Sequence, residues 1–362
     1  MVSTTLTQNR DLFINLVTAT RQFFVINGLN IDSASIEKDF YVYLMLKEFA
    51  QSEHAKKAFF KGGTALSRVW KITERFSEDV DLCMNPKANN TRKKSIEQRD
   101  KISKDIAQIF PQIDRHPDEN KGGLFRKTVH PYPKIISADT SQIIGENILL
   151  EMSSTRPERM LEATKEFVNS YIGDFLQENN QTDIIERYDL KPVELLVLLP
   201  EYTLSDKLCR MLKEANKPDS EIQIGAKIRD LYDIHKLLQN ERIRKVFYSD
   251  KFIEIFNSTE ADEALNRQTI PSFSETPLFA SPNEVLALQK GNYERFKPMI
   301  HRNPPELSDI AKTLIDNFER FRALDKHKIA PQIKAEETVA PKPETKPSVK
   351  RVPPQKKRGI RM

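Results

Sequence analysis

Apolar side chains recur at helical spacing through the first fifty residues. Leu12, Phe13, Leu16, Val17, Phe23 and Phe24 predict a helix over 10–27, and Phe40, Leu44, Leu46 and Phe49 continue the rhythm over 36–49. The run Ala58-Phe59-Phe60 stops at Gly62-Gly63, which reads as a buried strand feeding a turn, with a helix opening over 64–71. Val80, Leu82 and Met84 then alternate with Asp79, Asp81 and Cys83, predicting a strand with one polar face. A charged amphipathic helix follows over 93–110, with Ile96, Ile102, Ile106, Ile109 and Phe110 as its apolar stripe. Gly122-Gly123 opens an extended stretch running to about Ile136, and NILLEMS at 147–153 reads as another strand. Beyond Pro157 the period is helical, over 202–215, 224–240, 243–256 and 282–296. Ser281 is the expected N-cap of the last of these, with Pro282 at its first helical position.

This change of period places a boundary near 155–190. The expectation is an α+β chain of 362 residues, with a mixed α/β part at 1–155 and a mostly helical part at 156–329. Charge separates a third segment. The chain carries 57 Lys/Arg and 52 Asp/Glu, and residues 330–362 hold nine of the former and three of the latter. The rest is therefore near neutral, and the positive sign comes from the end of the chain. That end also has six of the 21 prolines and few large apolar side chains, so a disordered, basic, Pro-rich tail is expected at 330–362. Two cysteines, Cys83 and Cys209, exclude a disulfide framework and a four-cysteine zinc site. No stretch approaches the roughly 20 apolar residues of a membrane helix. The first residues, MVSTTLTQNRD, have neither the basic nor the apolar region of an export signal. A cytoplasmic protein with no membrane partner is expected.

Glycine is scarce, ten in all, so a pair directly after a strand suggests a backbone requirement at Gly62 and Gly63. A turn of this kind ahead of a helix suits a phosphate, and Ser67 nearby is a candidate to bond a β- or γ-phosphate. Gly122-Gly123 reads as an ordinary bend. Strand alternation puts Asp79 and Asp81 on one face, about 7 Å apart, where they repel unless a cation lies between them. Oxygen ligands without a nearby His or Cys favour Mg²⁺, or Mn²⁺, over zinc. Glu151 stands between Leu149, Leu150 and Met152, a costly place for an unpaired carboxylate. If its strand neighbours that of Asp79 and Asp81, it becomes the third metal ligand, and three acids with two Mg²⁺ form the clamp for in-line attack on a nucleotide α-phosphate.

The run KGGTALSRVWKITERFSEDVDLCM at 61–84 closely resembles the first motif of the AbiEii/AbiGii-type toxins of the nucleotidyltransferase superfamily. Ser205-Asp206-Lys207-Leu208 resembles the family's acid-lysine helix, and Lys227-Ile228-Arg229-Asp230-Leu231-Tyr232-Asp233 its basic Arg-Asp-x-x-Asp helix. The three occur in the family's order. The resemblance implies a nucleotidyltransferase-type mixed β-sheet with flanking helices and a C-terminal, mostly helical domain. It also implies a toxin of a toxin–antitoxin or abortive-infection pair, with an antitoxin partner. Lys207 would contact the triphosphate of an NTP substrate, and Asp230 would support Lys207 or the acceptor hydroxyl. On residues alone, the alternative for the third motif is a solvated i, i+4 pair between Arg229 and Asp233. The acceptor implied is RNA, above all the tRNA 3′ end. Transfer to a protein hydroxyl, or a non-catalytic NTP-binding interaction protein, are the rival readings.

Overall fold

Six strands form one mixed sheet in the computed structural model, which describes residues 5–136, 145–265 and 269–326. They are β1 (Ala58–Lys61), β2 (Val80–Met84), β3 (Phe125–Pro131), β4 (Asn147–Ser153), β5 (Ala163–Val168) and β6 (Val193–Leu198). Their order is β3-β4-β2-β1-β6-β5. β2 runs antiparallel to β1 and parallel to β4. The tail expected at 330–362 lies outside the described residues.

The alternation in β2 and β4 does what period-2 patterning requires. Val80, Leu82 and Met84, with Ile148, Leu150 and Met152, are buried on one face, which leaves Asp81 and Glu151 on the other. Helices α1 (Arg10–Ile26) and α2 (Ser33–Gln51) belong to the main core on that apolar side. α2 lies against β2, β4 and β6. It is buried on nearly every side, so four charged residues sit inside the protein, and each has a partner. Glu37 accepts the Ile135 amide at 2.6 Å, Lys38 pairs with Glu78 at 2.6 Å, Asp39 with Arg68 at 3.0 Å, and Lys47 with Asp189 at 2.7 Å.

Further helices flank the sheet later in the chain. Helix α3 (Gly62–Arg68) opens directly from β1, and α4 (Arg92–Ile109) packs beside β2, β3 and β4. Helices α5 (Pro200–Ala215), α6 (Ser220–Ala226), α7 (Ile228–Gln239) and α8 (Asp250–Leu265) follow β6. Phe59 and Cys83 from the sheet join Leu198, Tyr202 and Ile255 in a smaller second apolar cluster.

Three features differ from the sequence expectation. β5 and β6 lie beyond Pro157, so the sheet runs past the boundary placed near 155–190. VELLVL lacks polar alternation because β6 is interior, between β1 and β5, and such strands read as continuous apolar runs. The single helix expected over 224–240 is two, α6 and α7, broken at Lys227. The helix expected over 282–296 is likewise two, Pro282–Ala287 and Lys290–Phe296. Ser281 is the N-cap as expected, but its side chain makes no capping bond.

Candidate active site

The polar face of the sheet carries a row of four charged residues in register. Lys127 on β3 faces Glu151 on β4, Glu151 lies beside Asp81 on β2, and Asp81 faces Lys61 on β1. The condition set for Glu151 is met, since its strand neighbours that of Asp81. The outer members of the row are paired. Lys127 Nζ lies 3.2 Å from Glu151 Oε1, and Lys61 Nζ lies 2.8 Å from Asp206 Oδ2. Asp79 and Asp81 make no ion pair among the described residues, and Asp79 Oδ1 is buried with no hydrogen-bond partner.

The glycine turn is built around these acids. Gly62 has φ +78°, and a Cβ there would stand 2.1 Å from Asp81 Oδ2. Both backbone conformation and space therefore demand glycine. At Gly63 a Cβ would meet Arg75 Nη2 at 2.5 Å and Ser77 Oγ at 2.8 Å. Thr64 Oγ1 donates to the Asp79 carbonyl at 2.6 Å and lies 3.1 Å from Ser77 Oγ, which ties the turn to the start of β2. Gly123 has nothing within 4 Å of a Cβ, in keeping with an ordinary bend.

Opposite the acids stand the helices. Lys207 and Arg210 on α5, Lys227 at the α6–α7 break, and Arg229 and Asp230 on α7 line a cleft of about 310 Å³ together with Gly62, Asp79, Asp81 and Glu151. Asp230 receives Lys207 Nζ at 2.5 Å on one oxygen and Arg210 Nη1 at 3.1 Å on the other. Asp233 is fully buried and accepts Arg75 Nε and Nη2, both at 2.7 Å, with Lys207 Nζ 2.8 Å away. Arg229 reaches Glu78 at 3.4 Å, so the i, i+4 pairing with Asp233 is not made.

The acids of the cleft thus divide into two classes. Burial pushes Asp79 up to about 6, reinforced by the charges of Glu78 and Glu151. Burial likewise pushes Asp81 up to about 7, with Glu151 and Asp79 adding to the effect. For Asp230 burial acts in the same direction, but Arg210 and Lys207 outweigh it and hold the carboxyl far below its ordinary range. Burial is outweighed in the same way at Asp206 by Lys61 and Arg159. Asp230 is thus paired with both Lys207 and Arg210.

Two candidates are placed differently from expectation. Ser67 does not line the cleft; it lies near the far end of α3, buried, with Oγ donating to the Arg75 carbonyl at 3.0 Å. Ser77 is the hydroxyl beside the turn, and its distance in sequence from Gly63 concealed it. Lys207 lines the cleft, but two of its three N–H donors are committed to aspartates. Arg210 was legible as a cation one helical turn from Lys207, whereas Lys61 and Lys127 become site residues only through strand pairing.

Oxygen-only donors, an orphaned buried carboxylate oxygen and mutual repulsion fit a hard divalent cation at Asp79 and Asp81. The oxygens of Asp79, Asp81 and Glu151 are not all within 4.8 Å of one another; among the described residues that closeness occurs at Glu53, His54 and Asp105. There, however, Lys101 already holds Glu53, and the His54 ring is bonded to Asp105 at 2.7 Å and Gln98 at 2.9 Å. That group is an ordinary hydrogen-bonded cluster around a buried histidine. A larger hollow, about 790 Å³, is lined by His235, Lys236, Arg244 and Lys312, and there Asp316 pairs with Lys312 at 2.8 Å. It lacks the unpaired acids of the cleft.

Residues 44–325 match the family described as nucleotidyl transferase AbiEii toxin, type IV toxin–antitoxin system. The chain belongs to the AbiEii toxin family. Among solved structures it is similar to MenT4, a nucleotidyltransferase toxin from Mycobacterium tuberculosis H37Rv, at 14% identity and a TM-score of 0.41. That similarity covers 82% of this chain and 94% of MenT4. No curated protein matches. This AbiEii protein is accordingly an NTP-using nucleotidyltransferase of the type IV toxin–antitoxin class, with an antitoxin as partner. Divalent metal ions serve nucleotidyltransferases generally. No helix among the described residues is long and apolar enough to cross a membrane.

Proposed function

We propose that this AbiEii toxin transfers a nucleoside monophosphate from an NTP to the 3′ end of tRNA, in a Mg²⁺-dependent reaction that releases pyrophosphate. The observation that carries the reading is the pair Asp79 and Asp81, half-buried, without an ion pair among the described residues and facing cations across one cleft. Asp79 and Asp81 would hold Mg²⁺, and Glu151 would join them by exchanging Lys127 for the ion. When bound, Mg²⁺ would supply charge stabilisation at the α-phosphate and lower the pKa of the acceptor hydroxyl. Gly62 gives the triphosphate close access to the backbone, Gly63 is buried outside the cleft lining against Arg75 and Ser77, and Lys207 offers its remaining donor to the triphosphate. The division near residue 155 enters the proposal as a functional one, with the acids before it and the opposing cations Lys207, Arg210, Lys227 and Arg229 after it.

The exposed parts of Arg210 and Arg229, with Lys227, supply the local positive field that a near-neutral body lacks. A polyanionic acceptor suits that field better than a protein hydroxyl. Incubation with labelled NTPs, total tRNA and cell lysate should place the label on tRNA, and mass spectrometry of tRNA 3′ ends after expression should find the added nucleotide. Label on a protein band, with tRNA ends unchanged, would replace tRNA by a protein hydroxyl.

The raised carboxyls give a signed pH dependence. In the unfolded chain both titrate near 3.9, and in the folded protein near 6 and 7, so the metal-free fold binds these protons more tightly. Their contribution to stability is full below about pH 4 and is lost as pH rises through about 6–7. Mg²⁺ should offset that loss, so thermal melts should show a larger Mg²⁺-induced rise in Tm at pH 8 than at pH 5. An equal rise at both values would count against ligation by Asp79 and Asp81.

A further inference from the structure

Most cations around the cleft are already committed to protein carboxylates. Arg75 gives Nε and Nη2 to Asp233 and Nη1 to the Phe76 carbonyl, so all three of its nitrogens are already held by the protein. Lys61 is held by Asp206 at 2.8 Å, and Lys207 lies between Asp230 and Asp233 with a nearly buried side chain. Arg210 differs. Only Nη1 is engaged, at 3.1 Å from Asp230 Oδ2, while Nε and Nη2 have no partner among the described residues and the side chain is 43% exposed.

Its position is as distinctive as its open donors. Arg210 follows Lys207 by one helical turn on α5, lines the same cleft as Asp81 and Glu151, and feels the charges of both as well as that of Asp230. Asp230 therefore anchors one nitrogen of the guanidinium and leaves the Nε–Nη2 edge unpaired among the described residues, in a cleft that Asp81 and Glu151 also line. A planar fork with two adjacent free N–H groups matches two phosphate oxygens, which a point-charge ammonium cannot do.

We propose that Arg210 is the principal protein ligand of the β- and γ-phosphates of the bound NTP, and that Lys207 mainly holds Asp230 and Asp233 in place behind it. This rests on the nucleotidyltransferase reading of the cleft and assigns its triphosphate subsite. The assignment separates phosphate recognition from recognition of the nucleoside. Arg210 discriminates NTP from NMP and binds free pyrophosphate, while the nucleoside end is held elsewhere.

The test is calorimetric titration of the full chain, with Mg²⁺ present, against an NTP, the corresponding NMP and inorganic pyrophosphate. Arg210→Gln should weaken NTP and pyrophosphate binding by about 10- to 100-fold, the range for hydrogen bonds to charged groups. NMP affinity should stay within about twofold. Arg210→Lys keeps the charge without the fork and should fall between wild type and Arg210→Gln. If Arg210→Gln alone is poorly folded, the lysine variant carries the comparison. Unchanged pyrophosphate affinity in the folded variants, or equal losses for NTP and NMP, would overturn the assignment and leave the nucleotidyltransferase reading standing. A wild-type chain that binds neither NTP nor pyrophosphate with Mg²⁺ would overturn both.

Discussion

Asp79→Asn will abolish nucleotidyl transfer and growth inhibition on an intact fold. Removing one carboxylate from a divalent-cation site forfeits several kcal/mol of charge stabilisation, so the rate should fall about a thousandfold or more at tenfold per 1.36 kcal/mol. The same change should raise metal-free stability at pH 8, by about 1–3 kcal/mol, because it removes a carboxylate whose Oδ1 is buried without a partner and which Glu78 and Glu151 repel. Activity and stability thus move in opposite directions, which a merely structural aspartate would not produce. The checks are a labelled-NTP transfer assay, induced expression in cells, and melts without metal. A variant that stays folded and still arrests growth would point to the non-catalytic, NTP-sequestering reading.

Asp233→Ala should give the largest loss of stability of any single change at the cleft. Its carboxylate is fully buried and answers two buried cations, Arg75 through a two-pronged contact and Lys207 at 2.8 Å. Removing one partner of a buried ion pair costs about 3–5 kcal/mol, because the remaining charge is stranded out of water. Here Lys207 keeps Asp230, so Arg75 bears most of the cost. Arg75 packs against Gly63, so the loss should also loosen the turn beneath the triphosphate. Urea denaturation should show the lower midpoint, and NTP affinity should fall even where the variant remains folded. A loss under about 1 kcal/mol would mean that Arg75 finds another partner.

Much of the site was legible because its chemistry lies in short, local patterns. Asp79 and Asp81 share a face because strand side chains alternate, and Gly62 at φ +78° shows why glycine follows β1. Glu151 was readable as an anomaly, a carboxylate in an apolar strand, although its place beside Asp81 depended on a register that no local signal states. Ser67 misled because nearness in sequence to a turn is not nearness in space along a helix, and its hydroxyl is spent on the Arg75 carbonyl. β6 passed unnoticed because an interior strand needs no polar face and shows no alternation.

Periodicity and spacing were enough to say which residues share a face of a strand or helix, since those depend on backbone geometry alone. They were enough for the acid pair and the glycine turn, while the three motifs and their order came from the family resemblance. They could not say which charges cancel. Lys207 with Asp230 and Asp233, Arg75 with Asp233, and Lys61 with Asp206 are pairs separated by 23 to 158 positions, made only when burial forces each charge to find a partner. What remains once those pairs are drawn, two carboxylates without an ion pair facing the open donors of Arg210, Lys227 and Arg229, is the part of this protein that chemistry can use, and long-range packing decides it.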